Sequence, residues 1–115
     1  MPQITVDHPA QLTDAFDRRG FALALHPLVV EIAGARLAAC KTRFRTTEEN
    51  VVGDEAAGPG VLHIEIALLA GRSEETKKQL ATAAVELAGK FVAGTSVAGH
   101  VSAEVRDLDG SYAKV

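Results

Sequence analysis

The sequence predicts an α+β domain in which a strand, a helix and a strand occur twice, giving a four-stranded sheet with two helices on one face. Three observations carry this expectation. Apolar and polar residues alternate in four short segments, the period of a half-buried strand. Two longer segments place apolar residues at helical spacing. A stretch rich in Gly, Asp and Glu separates two halves, about 2–46 and 61–107, and composition of that kind turns and does not pack.

The first strand follows from Pro2-Gln3-Ile4-Thr5-Val6-Asp7, with Ile4 and Val6 on one side and Gln3, Thr5 and Asp7 on the other. Apolar spacing predicts a helix from about Leu12 to Ile32, interrupted in propensity by Gly20 and Pro27. Residues 39–46 alternate again and carry a basic stripe, Lys41, Arg43 and Arg45, opposite Cys40, Thr42 and Phe44. Thr47 to Gly60 is the longest loop, and Gly58-Pro59-Gly60 within it reads as a turn without the features of a phosphate cradle. Val61 to Leu69 is the clearest strand. At Gly71 the period changes, and Ser73 is placed to cap a helix whose first turn carries Glu74 and Glu75, favourable against the helix dipole. Leu80, Ala84, Leu87 and Phe91 share its apolar face, which ends before Gly94. Val101 to Arg106 alternates as a fourth strand.

At 115 residues and 47% hydrophobic content, the chain is expected to form one domain, 1–115, around one core. Twelve basic and 15 acidic residues give a net charge of -3, which argues against bulk binding to nucleic acid or an anionic membrane. One cysteine, Cys40, excludes a disulfide framework and a cysteine-rich zinc site. It falls on the apolar side of strand two, the setting of an inert buried thiol. His8, His26, His63 and His100 show no metal-ligand spacing, so no metal is expected. No apolar run approaches the ~18 residues of a spanning helix, and a cytoplasmic location is the expectation.

The helices cover one face of the expected sheet. The other would carry Gln3, Thr5, Lys41, Arg43, Arg45, His63, Glu65, Ser102, Glu104 and Arg106. Such a face either meets water or is buried between subunits, with Arg43 and Arg45 neutralised by Glu65 and Glu104.

Two features carry chemistry: a proline directly after Met1 that opens a strand, and Gly71-Arg72-Ser73 at the junction of strand three and helix two. Together they resemble the tautomerase superfamily. The order and length of the two fused units are most similar to the 5-carboxymethyl-2-hydroxymuconate isomerases, and Leu69 to Leu80 resembles the strand-to-helix junction of oxalocrotonate tautomerase. His26-Pro27, the segment Leu37 to Arg43, and Ser102-Ala103-Glu104 match as well.

The resemblance implies a cofactor-independent isomerase that moves a proton within a small unsaturated 2-hydroxy or 2-oxo carboxylic acid. In a chain processed to begin at Pro2, the secondary amine would be the general base, provided that burial and nearby cations lower its pKa. Arg72 would hold a substrate carboxylate. Lys41 stands where the isomerase pattern has a second arginine, and Arg43, two residues along, is the alternative for that contact. The tail after strand four is short, so a pocket wall built from it would be reduced, with Tyr112 its late aromatic. A homotrimer without nucleic-acid or membrane partners is implied. Two further readings stand beside this one. One is a non-catalytic metabolite-binding domain, which would gain nothing from a free Pro2 amine. The other is a hydratase or dehalogenase, which would need a carboxylate beside the proline to orient water.

Overall fold

The computed structural model describes residues 1–55 and 60–115; Gly58 and Pro59 of the expected turn lie outside the described residues. Strands β1 (Gln3–Pro9), β2 (Lys41–Thr47), β3 (Leu62–Leu68) and β4 (Val101–Asp107) form one sheet in the order β2-β1-β3-β4. Helices α1 (Arg18–Ala33) and α2 (Glu74–Phe91) cross over between the parallel pairs β1/β2 and β3/β4, and the central pair β1/β3 is antiparallel. The architecture is the double βαβ unit expected from the sequence.

Alternation places Ile4 and Val6 of β1 and Leu62, Ile64, Ile66 and Leu68 of β3 under the helices, all essentially without exposure. Phe21, Leu25 and Val29 of α1 meet them at helical spacing, as do Leu80, Ala84 and Ala88 of α2. Each large apolar side chain buried in this way stabilises the fold by about 1.5–3 kcal/mol. Ile64→Ala, in the middle of the central pair, would cost about 2–5 kcal/mol.

Two boundaries differ from the sequence reading. Helix α1 begins at Arg18 and not near Leu12, because the Asp17 carboxylate accepts the Gly20 amide at 2.9 Å and sets the cap there. Leu12 and Phe16 are core residues all the same, brought in by a short 3-10 turn, Ala10–Leu12, and the chain after it. The helix continues through Pro27, which lies on its exposed side. Strand β2 begins at Lys41, after a second 3-10 turn, Leu37–Ala39. Cys40 therefore stands just before the strand, half-buried against the core, where burial pushes its thiol pKa up against the opposing pull of Lys41.

The face away from the helices is polar, but its charges pair differently from the expectation. The Arg45 guanidinium donates to both carboxylate oxygens of Asp7, at 2.8 and 3.1 Å, and Arg43 donates to Gln3 at 2.6 Å. Glu65 meets Arg106 at 3.3 Å, and His63 lies 2.7 Å from Ser102 and 3.5 Å from Glu104. Strand order is the reason. With β2 and β4 at opposite edges, Arg43 and Arg45 reach only β1, while β4 supplies the partner of Glu65. These pairs are exposed to solvent that screens them, so they organise the face more than they hold the fold. Among the described residues no helix is long and apolar enough to cross a membrane.

Candidate active site

The antiparallel pairing of β1 with β3 sets Gln3 opposite Ala67, so the start of β1 lies beside the end of β3. The chain leaves β3 through Leu69, Ala70 and Gly71. Gly71 has φ 128°, a conformation that side chains other than glycine rarely adopt. Immediately afterwards the Ser73 hydroxyl accepts the Thr76 amide at 3.1 Å and starts α2, with Glu74 and Glu75 in the first turn. This tight turn delivers Arg72 to the start of β1.

Arg72 is already engaged. Its Nε donates to the Ala33 carbonyl at the end of α1, 2.9 Å away, and Nη1 donates to the Leu69 carbonyl at 3.1 Å. The guanidinium ties the end of α1 to the β3–α2 turn and leaves Nη2 without a partner among the described residues. The outer edge of the fork is the part left open to an anion, and the guanidinium also holds the cavity wall in place.

Helix α1 ends on Gly34, in the left-handed conformation (φ 71°), and the chain turns back through Arg36 to β2. The first residue of β2, Lys41, donates its amide to the Pro2 carbonyl at 3.2 Å. The result is a cavity of about 210 Å³ lined by Met1, Pro2, Gly34, Ala35, Arg36, Ala39, Leu69 and Arg72. A second cavity, about 380 Å³, adjoins it through Met1, Arg36 and Ala39 and is completed by Ala38, Lys41, Lys114 and Val115. Neither is lined by an Asp or Glu side chain among the described residues. Four cations thus surround the chain start. The Met1 ammonium has its pKa lowered, first by burial, then by the charges of Arg72 and Lys41, with a smaller contribution from Lys114 and a small opposing one from Cys40.

Of the residues singled out from the sequence, Pro2 is buried and lines the first cavity, Arg72 stands beside it, and Lys41 lines the second. Arg43 does not join them. Alternation along β2 turns it to the open sheet face, where Gln3 and Thr5 accept from it. The sequence reading missed Arg36 and Lys114. Arg36 carries a signal in retrospect: a cation two residues after a helix-ending glycine, ahead of apolar Leu37-Ala38-Ala39. Lys114 carries none, since it follows the last periodic segment. The tail, expected to leave a reduced wall, contributes lining through Lys114 and Val115 and is held where the Gln3 amide donates to the Tyr112 hydroxyl at 3.1 Å.

A larger cavity, about 440 Å³, lies between α1 and the edge strand β2, lined by Arg18, Arg19, Ala22, Leu23, His26, Thr42 and Phe44. It shares no residue with the two around Pro2. Its one residue that could accept or donate a proton near neutrality, His26, is 2.8 Å from the Thr42 hydroxyl, and burial lowers its pKa.

No protein-family model and no curated protein sequence matches the chain. Solved structures do. A 5-carboxymethyl-2-hydroxymuconate isomerase from Deinococcus radiodurans R1 matches with a TM-score of 0.81 at 19% identity, over 98% of this chain and 88% of that one. FG41 malonate semialdehyde decarboxylase inhibited by 3-bromopropiolate matches at 0.70 and 21% identity, over 97% and 89%. A wild-type fused 4-OT in a symmetric trimer matches at 0.74 and 19% identity, over 98% and 92%. At such identities the shared property is the path of the backbone. The two fused βαβ units, the strand order and these matches together give the chain the tautomerase fold.

Proposed function

We propose that the protein is a cofactor-independent tautomerase or double-bond isomerase acting on a small unsaturated 2-hydroxy or 2-oxo carboxylic acid, with Pro2 as general base. The observation that carries this reading is the position of Pro2: buried at the start of β1, in a cavity with Arg36 and Arg72 and no lining carboxylate among the described residues. With Met1 in place the Pro2 nitrogen is an amide and has no basic lone pair. Once Met1 is removed it is a secondary amine under the same burial and the same cations that lower the Met1 ammonium, and both favour the neutral, proton-accepting form.

The neutral amine removes the proton of the enol hydroxyl or of the activated carbon, leaving a delocalised enolate. Arg72 and Arg36 face the negative charge as it builds and stabilise the transition state more than the ground state. The prolinium then returns the same proton to a carbon further along the conjugated system. The product is an isomer of the substrate, and the base is regenerated. No oxidant, reductant or water is consumed.

A hydratase or dehalogenase would need an acidic side chain beside Pro2 to orient water, and the two cavities are lined by no Asp or Glu among the described residues. The test is turnover of a 2-hydroxy-2,4-dienoic acid, followed by ultraviolet absorbance, with protein verified by mass to begin at Pro2. Turnover that disappears when one residue is added ahead of Pro2 is the expected result. Equal turnover with the nitrogen blocked, or none in processed protein, overturns the reading.

The assembly proposed is a homotrimer. It is supported by the symmetric trimer of the fused 4-OT relative in fold and by the edge strands β2 and β4 of the single chain, which leave backbone groups open for pairing between subunits. Light scattering decides it, and a mass of one 12.1 kDa chain at micromolar concentration rejects it.

A further inference from the structure

The two crossover helices carry opposite charge at the same place. The first turn of α2 holds Glu74 and Glu75, as the positive end of a helix dipole favours. The first turn of α1 holds no acidic residue and begins Arg18-Arg19. Cations at that end oppose the dipole and cost helix stability. Neither arginine forms an ion pair among the described residues, and Asp17, beside them in the chain, accepts the Gly20 amide in the helix cap. A local arrangement that runs against stability marks a position kept for function.

Both arginines line the cavity of about 440 Å³ between α1 and β2, a size within the range of small-molecule sites. The cavity follows two turns of the helix. Arg18 and Arg19 stand at one end, Ala22 and Leu23 come one turn later, and His26, a turn further on, closes the other end with Thr42, 2.8 Å away. From Arg18 to His26 the helix rises about 12 Å. Phe44, on the same face of β2 as Thr42, completes the wall, with its ring against Phe16. Leu23 is 60% exposed and Phe44 half-buried, so apolar surface meets water between a cationic end and a polar end. Burial favours the neutral form of His26, which leaves the arginine end as the part that attracts an anion.

The equivalent corner of the second unit lacks these features. The cavity between α2 and β4 is smaller, about 340 Å³, and carries Lys78 and Glu86, of opposite sign, beside Ala81, Val85 and Ala103. It has no aromatic wall. The repeated topology makes both grooves, and side chains of the first unit suit one of them to an anion with an apolar body.

We propose that the α1/β2 cavity binds an elongated amphipathic carboxylate: the anionic end on Arg18 and Arg19, the apolar body over Leu23 and Phe44, and a polar far end on His26 and Thr42. This site shares no residue with the cavities around Pro2 and does not rest on the reaction proposed there.

Octanoate, 8-hydroxyoctanoate and 1-octanol serve as probes, titrated by amide NMR into full-length protein. Octanoate should give saturable shifts at Ala22, Leu23, Thr42 and Phe44 and none at Ala35 or Leu69, which line the Pro2 cavity. Without the charge, 1-octanol should bind about threefold to tenfold more weakly, the size of one or two exposed ion pairs. The added hydroxyl of 8-hydroxyoctanoate should tighten binding, and Thr42→Val should remove that gain. Arg18→Gln combined with Arg19→Gln should weaken octanoate by the same factor as loss of the carboxylate, yet raise the melting temperature of the free protein, because two cations leave the positive end of the helix. A double variant that binds octanoate as the parent does, or that melts lower, overturns the site. So do octanoate shifts centred on Ala35 and Leu69, or a double variant whose mass by light scattering falls below the parent's, which would assign the arginine pair to a contact between subunits.

Discussion

The central strands β1 and β3 run antiparallel, and the two ends of this pair are built from equivalent parts of the two βαβ units with opposite results. At one end, β1 starts beside the last residues of β3; at the other, β3 starts beside the last residues of β1. The first end is open and cationic, with Arg36, Lys41, Arg72 and Lys114 around the chain start. The second is closed and apolar. There Gly60 lies against Pro9 and Val97, and Leu12, Phe16 and Val97 are buried. His8 is buried with them, its Nδ1 3.2 Å from the Pro9 carbonyl and its ring edge-on to Phe16 and Phe44. Where β2 opens with Lys41, β4 opens with Val101. The difference teaches that topology supplies two similar corners, and that local side chains decide which is filled and which remains a cavity.

The largest expected effect falls on the open end. Replacing Pro2 with Ala, or extending the chain ahead of it, should lower kcat on a dienoic acid by about 10²–10⁴-fold, the usual worth of a positioned general base, with the circular dichroism spectrum unchanged. Arg72→Ala should follow, reducing kcat/KM by about 10–100-fold if it removes one charge-assisted contact made in the transition state. Because Arg72 also ties Ala33 to Leu69, the melting temperature should fall with it. Arg72→Lys should restore charge without the fork and recover only part of either.

Breaking the closed end should give the converse pattern. A Cβ at Gly60 would collide with the Pro9 ring and lie 2.9 Å from Val97 Cγ1, so Gly60→Ala should destabilise the protein by about 1–3 kcal/mol. Denaturant titration reads the loss, and activity per folded molecule should be retained. A Gly60→Ala protein with normal stability would mean that this corner is not closed by packing.

The pH profile sharpens the contrast. In the proposed reaction Pro2 works as a neutral amine, so kcat/KM should rise with pH through its pKa and then level off. Burial and the cations that lower the Met1 ammonium act in the same direction on a Pro2 amine and move that limb to lower pH. Lys41→Met removes one cation, lets the pKa return upward and should move the limb to higher pH. A limb that stays in place would show that Lys41 does not contribute to the shift. The smallest effect is expected at Arg43, which sits on the sheet face with Gln3 and Thr5. Arg43→Ala should change kcat/KM by no more than about twofold, the scale of a surface substitution.

Strand and helix patterns were legible because each element's side-chain period is written in its own residues. Ile4, Val6, Ile64 and Ile66 alternate wherever they are placed, and Ser73 caps α2 through an amide three residues away. The glycine that turns the chain at position 71 and the cation that follows it were legible for the same reason. Element ends were less so: Leu12 and Phe16 are as apolar as a helix face requires, yet only the Asp17 contact with Gly20 shows where α1 starts.

By itself, then, the sequence determined the double βαβ order, the two-sided sheet and the pairing of an early proline with an Arg72 junction, all of which depend on spacing over a few residues. Tertiary structure alone decided the neighbours. Putting β2 and β4 at opposite edges gave Arg45 to Asp7 and Arg106 to Glu65, and left Arg43 on the sheet face. Running the tail past Gln3, in a contact that joins residues 3 and 112, brought Lys114 to the cavity that Lys41 lines. Such contacts depend on where distant segments meet once the core has closed, and no local periodicity encodes that meeting.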